Sequence, residues 1–413
     1  MIVLNLYCQV KVISMKKNIT LIIILLSCTY FISQFYRASL GVVAIDISSD
    51  LNLNSEQLGR LGGVFFLSFA LTQIPLGIAL DKYNPIKIII FMLLIIFIGS
   101  LIFSFGNNLN FLILARALQG MGCGVCLMGP LVVLTRILKA REFAFYSGIV
   151  MGMGGLGALF ATEPFYNFTN LIGWKNAFFY SSFLILLLII LLFFYFPKED
   201  KLKNKLVLES NLQAFKEILK NKNFLLMLPM SMFGYASFAF ILTLWGGKYL
   251  LLVHDISNKY VSIILMCMAL FWAIGSIVFG AVEKKINRKK VILITSAVIM
   301  TLLLSLLCLN IFNSILLFII LFSFLGFFGA FTLILISHYR AIFNEKIIGK
   351  VLTTANLFNF FGVFLVQWVT GIIIMNLNEK YNFSISLSYS LAFMVVILFL
   401  IFAIISYLKT DEV

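Results

Sequence analysis

Apolar stretches of at least 20 residues, roughly the length that crosses the hydrocarbon of a bilayer, recur from one end of this chain to the other. They run over residues 19–45, 57–80, 86–106, 109–135, 143–166, 175–197, 224–252, 259–282, 290–310, 312–337, 350–375 and 383–408. Only 11% of the residues are charged and 62% are hydrophobic, against about 25% charged in soluble domains. No soluble core absorbs that much apolar surface. Inside hydrocarbon every backbone polar group must be satisfied within its own segment, so each stretch is a helix. A transmembrane barrel would instead show short alternating strands. The expectation is an all-α integral membrane protein of twelve transmembrane helices.

The positive residues orient it. With both termini cytoplasmic, every Lys and Arg of the 31 falls on the cytoplasmic side except Arg37, Arg60, Arg116, Lys175, Lys248, Lys259 and Lys380. The positive-inside rule selects that topology. The net charge of +15 then faces anionic inner-leaflet lipid, and no nucleic-acid partner is implied. The stretch from Met15, "MKKNITLIIILLSC", has a basic start and an apolar run, as a signal peptide does. It lacks a small-residue cleavage site and its apolar run is too long, so it is read as the first span. Residues 1–14 could be an upstream start artefact, since Met15-Lys16-Lys17 is itself a conventional beginning.

A single long charged stretch, residues 198–223, separates six spans from six and holds an amphipathic segment around 211–220. The expected organisation is a cytoplasmic N-terminus (1–18), a six-helix bundle (19–197), this linker, a second bundle (224–408) and a short tail (409–413). The halves repeat one another. "GIALDKYNPIK" follows the second span and "GAVEKKINRKK" the eighth, and the Asp81–Glu283 and Gly148–Gly349 offsets differ by one residue. Repeated halves with a solute site between them near the midplane mark secondary transporters. No G-x-x-x-x-G-K-[ST] loop occurs, so ATP is not the direct energy source and no cofactor is expected. "CGVC" (Cys123 to Cys126) has metal or redox spacing, but lies in a glycine-rich helix without a second ligand pair; packing is the better reading.

Several motifs carry a family resemblance. Gly77, Asp81, Lys82 and Lys87 of "GIALDKYNPIK" resemble the loop motif G-x-x-x-D-[RK]-x-G-x-[RK]-[RK] of the major facilitator superfamily. Asn84 stands where glycine is usual, and Asn tolerates the left-handed conformation such a turn requires. "RALQGMGCG" (Arg116, Gln119, Gly120, Gly122, Gly124) resembles that family's span-four motif R-x-x-x-G-x-G. "FYRASLGV", "GALFATEP", "GWKNAF" and "GKVLTTANLFNFFGVFLVQW" are similar to a poorly characterised bacterial branch of it. The resemblance implies two pseudo-symmetric six-helix bundles rocking about a central cavity by alternating access, with Asp81 and Glu283 in gating loops. Residue usage rich in Ile, Lys, Asn and Phe and poor in Pro, with no organellar signal, points to a bacterial inner membrane, and a monomer is expected. Drug exporters of the family usually carry a Gly-Pro pair in span five; here no proline follows the glycines of "GIVMGMGGLG" before Pro164. Those glycines are read as a packing face where the halves slide.

Polar residues inside the spans are the candidate solute contacts: Tyr30, Gln34, Arg37, Arg116 and Gln119 in the first half, and Tyr235, Asn356 and Asn359 in the second. Gln73 and Gln367 read more readily as helix-to-helix glue, and Trp245 and Lys248 as interface residues. Arg37 demands explanation, because an arginine at the bilayer centre costs about 2.5–3.5 kcal/mol on insertion scales. Glu163, just before Pro164, lies at similar depth in the span the family fold places beside span one. The pair would neutralise each other or share a solute and a proton, which makes Glu163 the candidate proton-coupling residue. Two guanidinium forks against one carboxylate favour a solute with an anionic group. The sequence is therefore read as a proton-coupled carrier of an organic anion, amino acid or peptide, with an exporter or uniporter of the same fold as the alternative. A channel has no need of matched halves. A lipid-modifying enzyme would need clustered carboxylates or a nucleophile with its base, and His254-Asp255 alone is a weak signal of that.

Overall fold

The structure is a computed structural model that describes residues 2–138, 140–195, 218–286, 288–311, 314–343 and 347–411. The side chains of residues 2–19 and of Asp81, Ala140, Arg141 and Ala144 are not among those described. Every described element is helical. Eleven helices are long and apolar enough to cross a membrane, and a twelfth span is the bent pair Phe145–Phe160 and Glu163–Ile172. In order the others are Thr20–Ala38, Ser55–Leu80, Pro85–Phe105, Leu109–Ile137, Trp174–Tyr195, Lys222–His254, Asn258–Ile286, Lys289–Cys308, Ile315–Ile342, Ile348–Lys380 and Ile385–Leu408. These match the apolar stretches closely, because hydrocarbon leaves a long apolar segment no other conformation. They are numbered one to twelve along the chain.

Local chemistry sets several ends. Asn54 and Gln57 form a capping box that opens span two, each side chain bonding the other's backbone N–H. Asn108, Asn221 and Ser384 cap spans four, seven and twelve in the same way from one side. Asn84 is not left-handed as the loop motif suggested. It has φ −64° and ψ 117° and caps span three by accepting from Ile86 N at 2.9 Å. Pro85 is the cause: it excludes the residue before it from the helical region and starts the next helix. A single helix runs Ile2–Ala38, and span one begins within it at Thr20. Residues 196–217 of the linker lie outside the described residues, and with them most of its amphipathic segment.

Within each set of six spans the helices pack on one another, spans one on five and three on four, then eight on ten and nine on twelve. The largest single pairing crosses between the sets, span two against span eleven. Its ladder runs from Gly59 against the Gln367 carbonyl, through Gly63 against Phe364 and Phe69 against Phe360, to a hydrogen bond from Asn356 to Gln73. Beyond that rung the helices part: a Cβ on Gly77 or on Gly349 would meet nothing within 4 Å. Span five against span eight behaves alike. A Cβ on Gly155 would lie 3.6 Å from Ala273, whereas Gly148, Gly152 and Gly280 face open space. The two sets therefore touch on the face remote from the C-terminal tail and separate toward the tail face. The glycines of span five serve this unevenly, because Gly154 and Gly157 pack on Tyr30 and Phe31 of span one in the same half.

Candidate functional site

Several spans depart locally from regular α-helix, at matching places in the two halves. Span one breaks at Ser39 and continues as Leu40–Asp50, and span seven passes through a π-helical turn, Ile241–Trp245. Span four breaks at Gly124, and span ten passes through a 3-10 turn, Ala330–Leu333. Such breaks expose backbone groups that hydrocarbon cannot satisfy, so side chains must do so. They also point to a solute site when they recur in corresponding spans.

Arg116 serves the first break. Its Nη1 donates to the Tyr36 carbonyl at 2.8 Å and to Gln119 Oε1 at 3.1 Å, and its guanidinium lies 4.4 Å from the Phe65 ring centroid. Gln119 Nε2 continues to Ser100 Oγ at 3.4 Å. Arg116 and Gln119 are thus brought together in a sealed node joining spans one, three and four, where Arg116 is 1% exposed.

Arg37 is held differently. Tyr30, Gln34 and Arg37 share one face of span one by their three- and four-residue spacing. Gln34 Nε2 donates to Tyr30 Oη at 3.0 Å. The Arg37 guanidinium lies 5.0 Å from the Phe69 ring centroid and 4.7 Å from that of Phe360, one from each half. Its Nη1 reaches Tyr235 Oη only at 3.5 Å, and its Nε has no partner. At 6% exposure it is a buried cation resting on aromatic faces. Asn356 stands at the last rung of the span two and eleven ladder, and Asn359 beside it makes no hydrogen bond to a described residue.

The expected pairing of Arg37 with Glu163 is not formed. Glu163 opens the outer segment of span five after a 44° bend, and its Oε1 accepts from Asn167 Nδ2 at 2.6 Å. Pro164 breaks the helix there. The new helix N-terminus stabilises the carboxylate without an arginine, and Asn167 is its four-residue neighbour on the same face.

The closed face is polar as well as tightly packed. Trp368 Nε1 donates to Glu56 Oε1 at 2.9 Å, and the Ser55 backbone N–H donates to Glu379 Oε1 at 3.3 Å. Lys248 Nζ donates to Ser48 Oγ at 3.0 Å, so it bridges the halves rather than reaching an interface. Sequence reasoning passed over Glu56, Trp368 and Glu379, which lie at span ends where polar residues carry no signal. In the loop after span two, Lys82 and Lys87 are exposed, Glu283 in the matching loop is half-buried, and the Asp81 side chain lies outside the described residues. Arg136, also unforeseen, donates to the Leu80 carbonyl at 2.9 Å and ties span four to the end of span two. A basic residue in a helix's last turn was the available sign.

Broken spans, two sets of six helices and buried cations between them define a membrane carrier. The chain belongs to the Major Facilitator Superfamily, whose sequence profile matches residues 26–366 and 251–413. Members of that family are transporters and not enzymes. The chain is similar to a probable sulfoacetate transporter, SauU, of Cupriavidus necator, with 27% identity over 36% of this chain and 35% of that one. The efflux pump hmp6 of Hypomyces subiculosus is 26% identical over 39% of this chain and 28% of its own. Both alignments thus span less than two thirds of the relative's length. Among solved structures, an inward-facing, occupied bacterial homologue of the human lysosomal transporter Spinster superposes with a TM-score of 0.76. It is 16% identical, over 94% of this chain and 96% of that one.

Proposed function

We propose that this transporter moves a small solute bearing an anionic group by alternating access, with Arg37 as the solute's counter-charge. The observation that carries this reading is the state of Arg37: buried, reached by side chains of both halves, and paired with no carboxylate. A guanidinium fork of that kind matches carboxylate, sulfonate or phosphate. The probable sulfoacetate transporter, itself named for an anion, is consistent with it. Tyr30, Gln34 and Tyr235 orient the solute. Asn356 and Asn359 line its path toward the open tail face. Arg116 and Gln119 support the site from behind.

Positive residues gather at the tail face, which supports placing both termini in the cytoplasm of a bacterium and reading this conformation as inward-open. The chain works as a monomer among membrane lipids. Protons drive it, bound and released by Glu163 at the bend of span five. Two variants test this in proteoliposomes. Glu163→Gln should abolish pH-gradient-driven uptake of an anionic solute yet spare exchange of the same solute across the membrane. Arg37→Gln should abolish both. Normal uptake by the two variants across a range of external pH would refute the assignment. The efflux-pump relative favours a second reading, outward transport by the same site; accumulation in inside-out vesicles distinguishes it.

A further inference from the structure

We infer that the central site is built for a monoanion with an aromatic or similarly flat apolar body, and that it excludes dianions. This rests on the anion reading above and narrows it.

The charge inventory comes first. Three cations are buried within the described spans of the site and its closed face: Arg37, Arg116 and Lys248. Arg116 is consumed by the Tyr36 carbonyl, Gln119 and the Phe65 ring. Lys248 is consumed by Ser48 at the closed face. Arg37 and Arg116 each keep an unpartnered Nε, but Arg116 is 1% exposed and its Nη1 donates twice, whereas Arg37 makes only one long hydrogen bond. One guanidinium neutralises one carboxylate. A second negative charge on the solute would lie against hydrocarbon with no counter-ion, and burying an unpaired charge is strongly unfavourable.

The walls supply the rest. From Arg37 a continuous row of rings crosses the second half: Phe360, then Tyr235 at 5.8 Å, Phe238 at 6.1 Å and Trp272 at a further 5.8 Å. Phe69 packs against Phe360 with ring centroids 4.2 Å apart, so both rings lie on the same side of Arg37. Ring faces favour a flat apolar body. At the far end Trp272 Nε1 is a second buried donor without a partner, able to receive a neutral acceptor of the solute. The row therefore reads as one anionic contact, an apolar length, and one neutral hydrogen bond.

The test uses the purified full-length chain and a matched set of probes, with binding read by thermal shift and titration. The probes are indole-3-acetate (aromatic monoanion), homophthalate (aromatic dianion), sulfoacetate (small dianion), acetate (small monoanion) and tryptamine (aromatic cation). The expected result is that indole-3-acetate binds at least about tenfold more tightly than any other probe, as one unpaired buried charge or one lost aromatic contact requires. Arg37→Gln should abolish that binding, and Trp272→Phe should weaken it while leaving the melt of the free protein unchanged. If homophthalate or sulfoacetate binds as tightly as indole-3-acetate, the monoanion inference falls and the anion reading stands. Tighter binding of tryptamine, or binding indifferent to Arg37→Gln, overturns both. Failure of indole-3-acetate to bind the wild-type chain overturns the inference without recourse to any variant.

Discussion

Arg37 and Arg116 are both buried cations that pair with no carboxylate among the described residues, and their surroundings give them opposite sensitivities. Removing Arg116 leaves the Tyr36 carbonyl only the long Ser39 Oγ bond at 3.4 Å and strands the Gln119 oxygen, and each buried polar group left unsatisfied costs about 1–3 kcal/mol. Arg116→Met should therefore lower the thermal midpoint of the purified protein by several degrees. Removing Arg37 strands only a hydroxyl at 3.5 Å and relieves a buried charge, so Arg37→Met should melt no lower than wild type while losing solute binding. Equal destabilisation by both variants in a fluorescence melt would contradict this division. Asp46, in the helix that continues span one past its break, carries a pH signature. Burial, and secondarily the Asp50 charge one turn on, raise its carboxyl above the 3.8 of a free aspartate. The folded state thus binds this proton more tightly than the unfolded chain does. The stability from that site is complete below 3.8 and is lost as pH rises through the raised value. Asp46→Asn should melt slightly above wild type at neutral pH and coincide with it in acid, which melts across a pH series would check.

At the scale of elements, the pairing of spans two and eleven depends on small residues where backbones meet. A Cβ on Gly59 would stand 2.5 Å from the Gln367 carbonyl oxygen, and one on Gly371 2.6 Å from that of Ser55. Gly59→Ala improves the helix propensity of span two, yet it should wedge the closed face apart. Transport should fall on the order of tenfold, the effect of ~1.4 kcal/mol of strain in one access state. Thiol labelling of Ser55→Cys from the far side should rise in the same background. Unaltered labelling would mean that the helices yield without opening. The breaks in spans one, four, seven and ten were not legible beforehand. Ser39, Gly124, Ile241–Trp245 and Ala330–Leu333 contain no proline, and the span-length apolar stretches read from the sequence run through each of them. What breaks them is partner geometry, such as the Arg116 donor that claims the Tyr36 carbonyl.

At the scale of the whole molecule the decisive feature is asymmetry across the membrane: contact at one face and separation at the other. The ladder from Gly59 to Asn356 and the hydrogen bonds of Glu56, Glu379 and Lys248 close one face, and all join the two halves. Substituting Glu56→Ala with Trp368→Phe removes one of these bridges at an exposed position, worth little to overall stability. The double variant should shift the resting population toward the state open at that face, read as increased hydrogen exchange at the start of span two. Protection equal to wild type would show that packing alone holds the gate.

The chain by itself determined twelve spans, all helical, in two repeated halves, because a bilayer admits no other fate for apolar segments of that length. Tyr30, Gln34 and Arg37 were legible for the same reason: a polar residue in an apolar run must face protein, and their spacing sets them on one helix face. The sequence could not say which residues of one half meet which of the other. That is why the Arg37–Glu163 pair was expected and the aromatic seat of Arg37, formed by Phe69 and Phe360 from opposite halves, was not. Apolar periodicity records that a residue is buried and is silent about its neighbour. Two arginines of equal cost in the sequence became one hydrogen-bonded tie and one cation resting on rings only when tertiary packing supplied Arg116 with a carbonyl and left Arg37 against the Phe69 and Phe360 side chains.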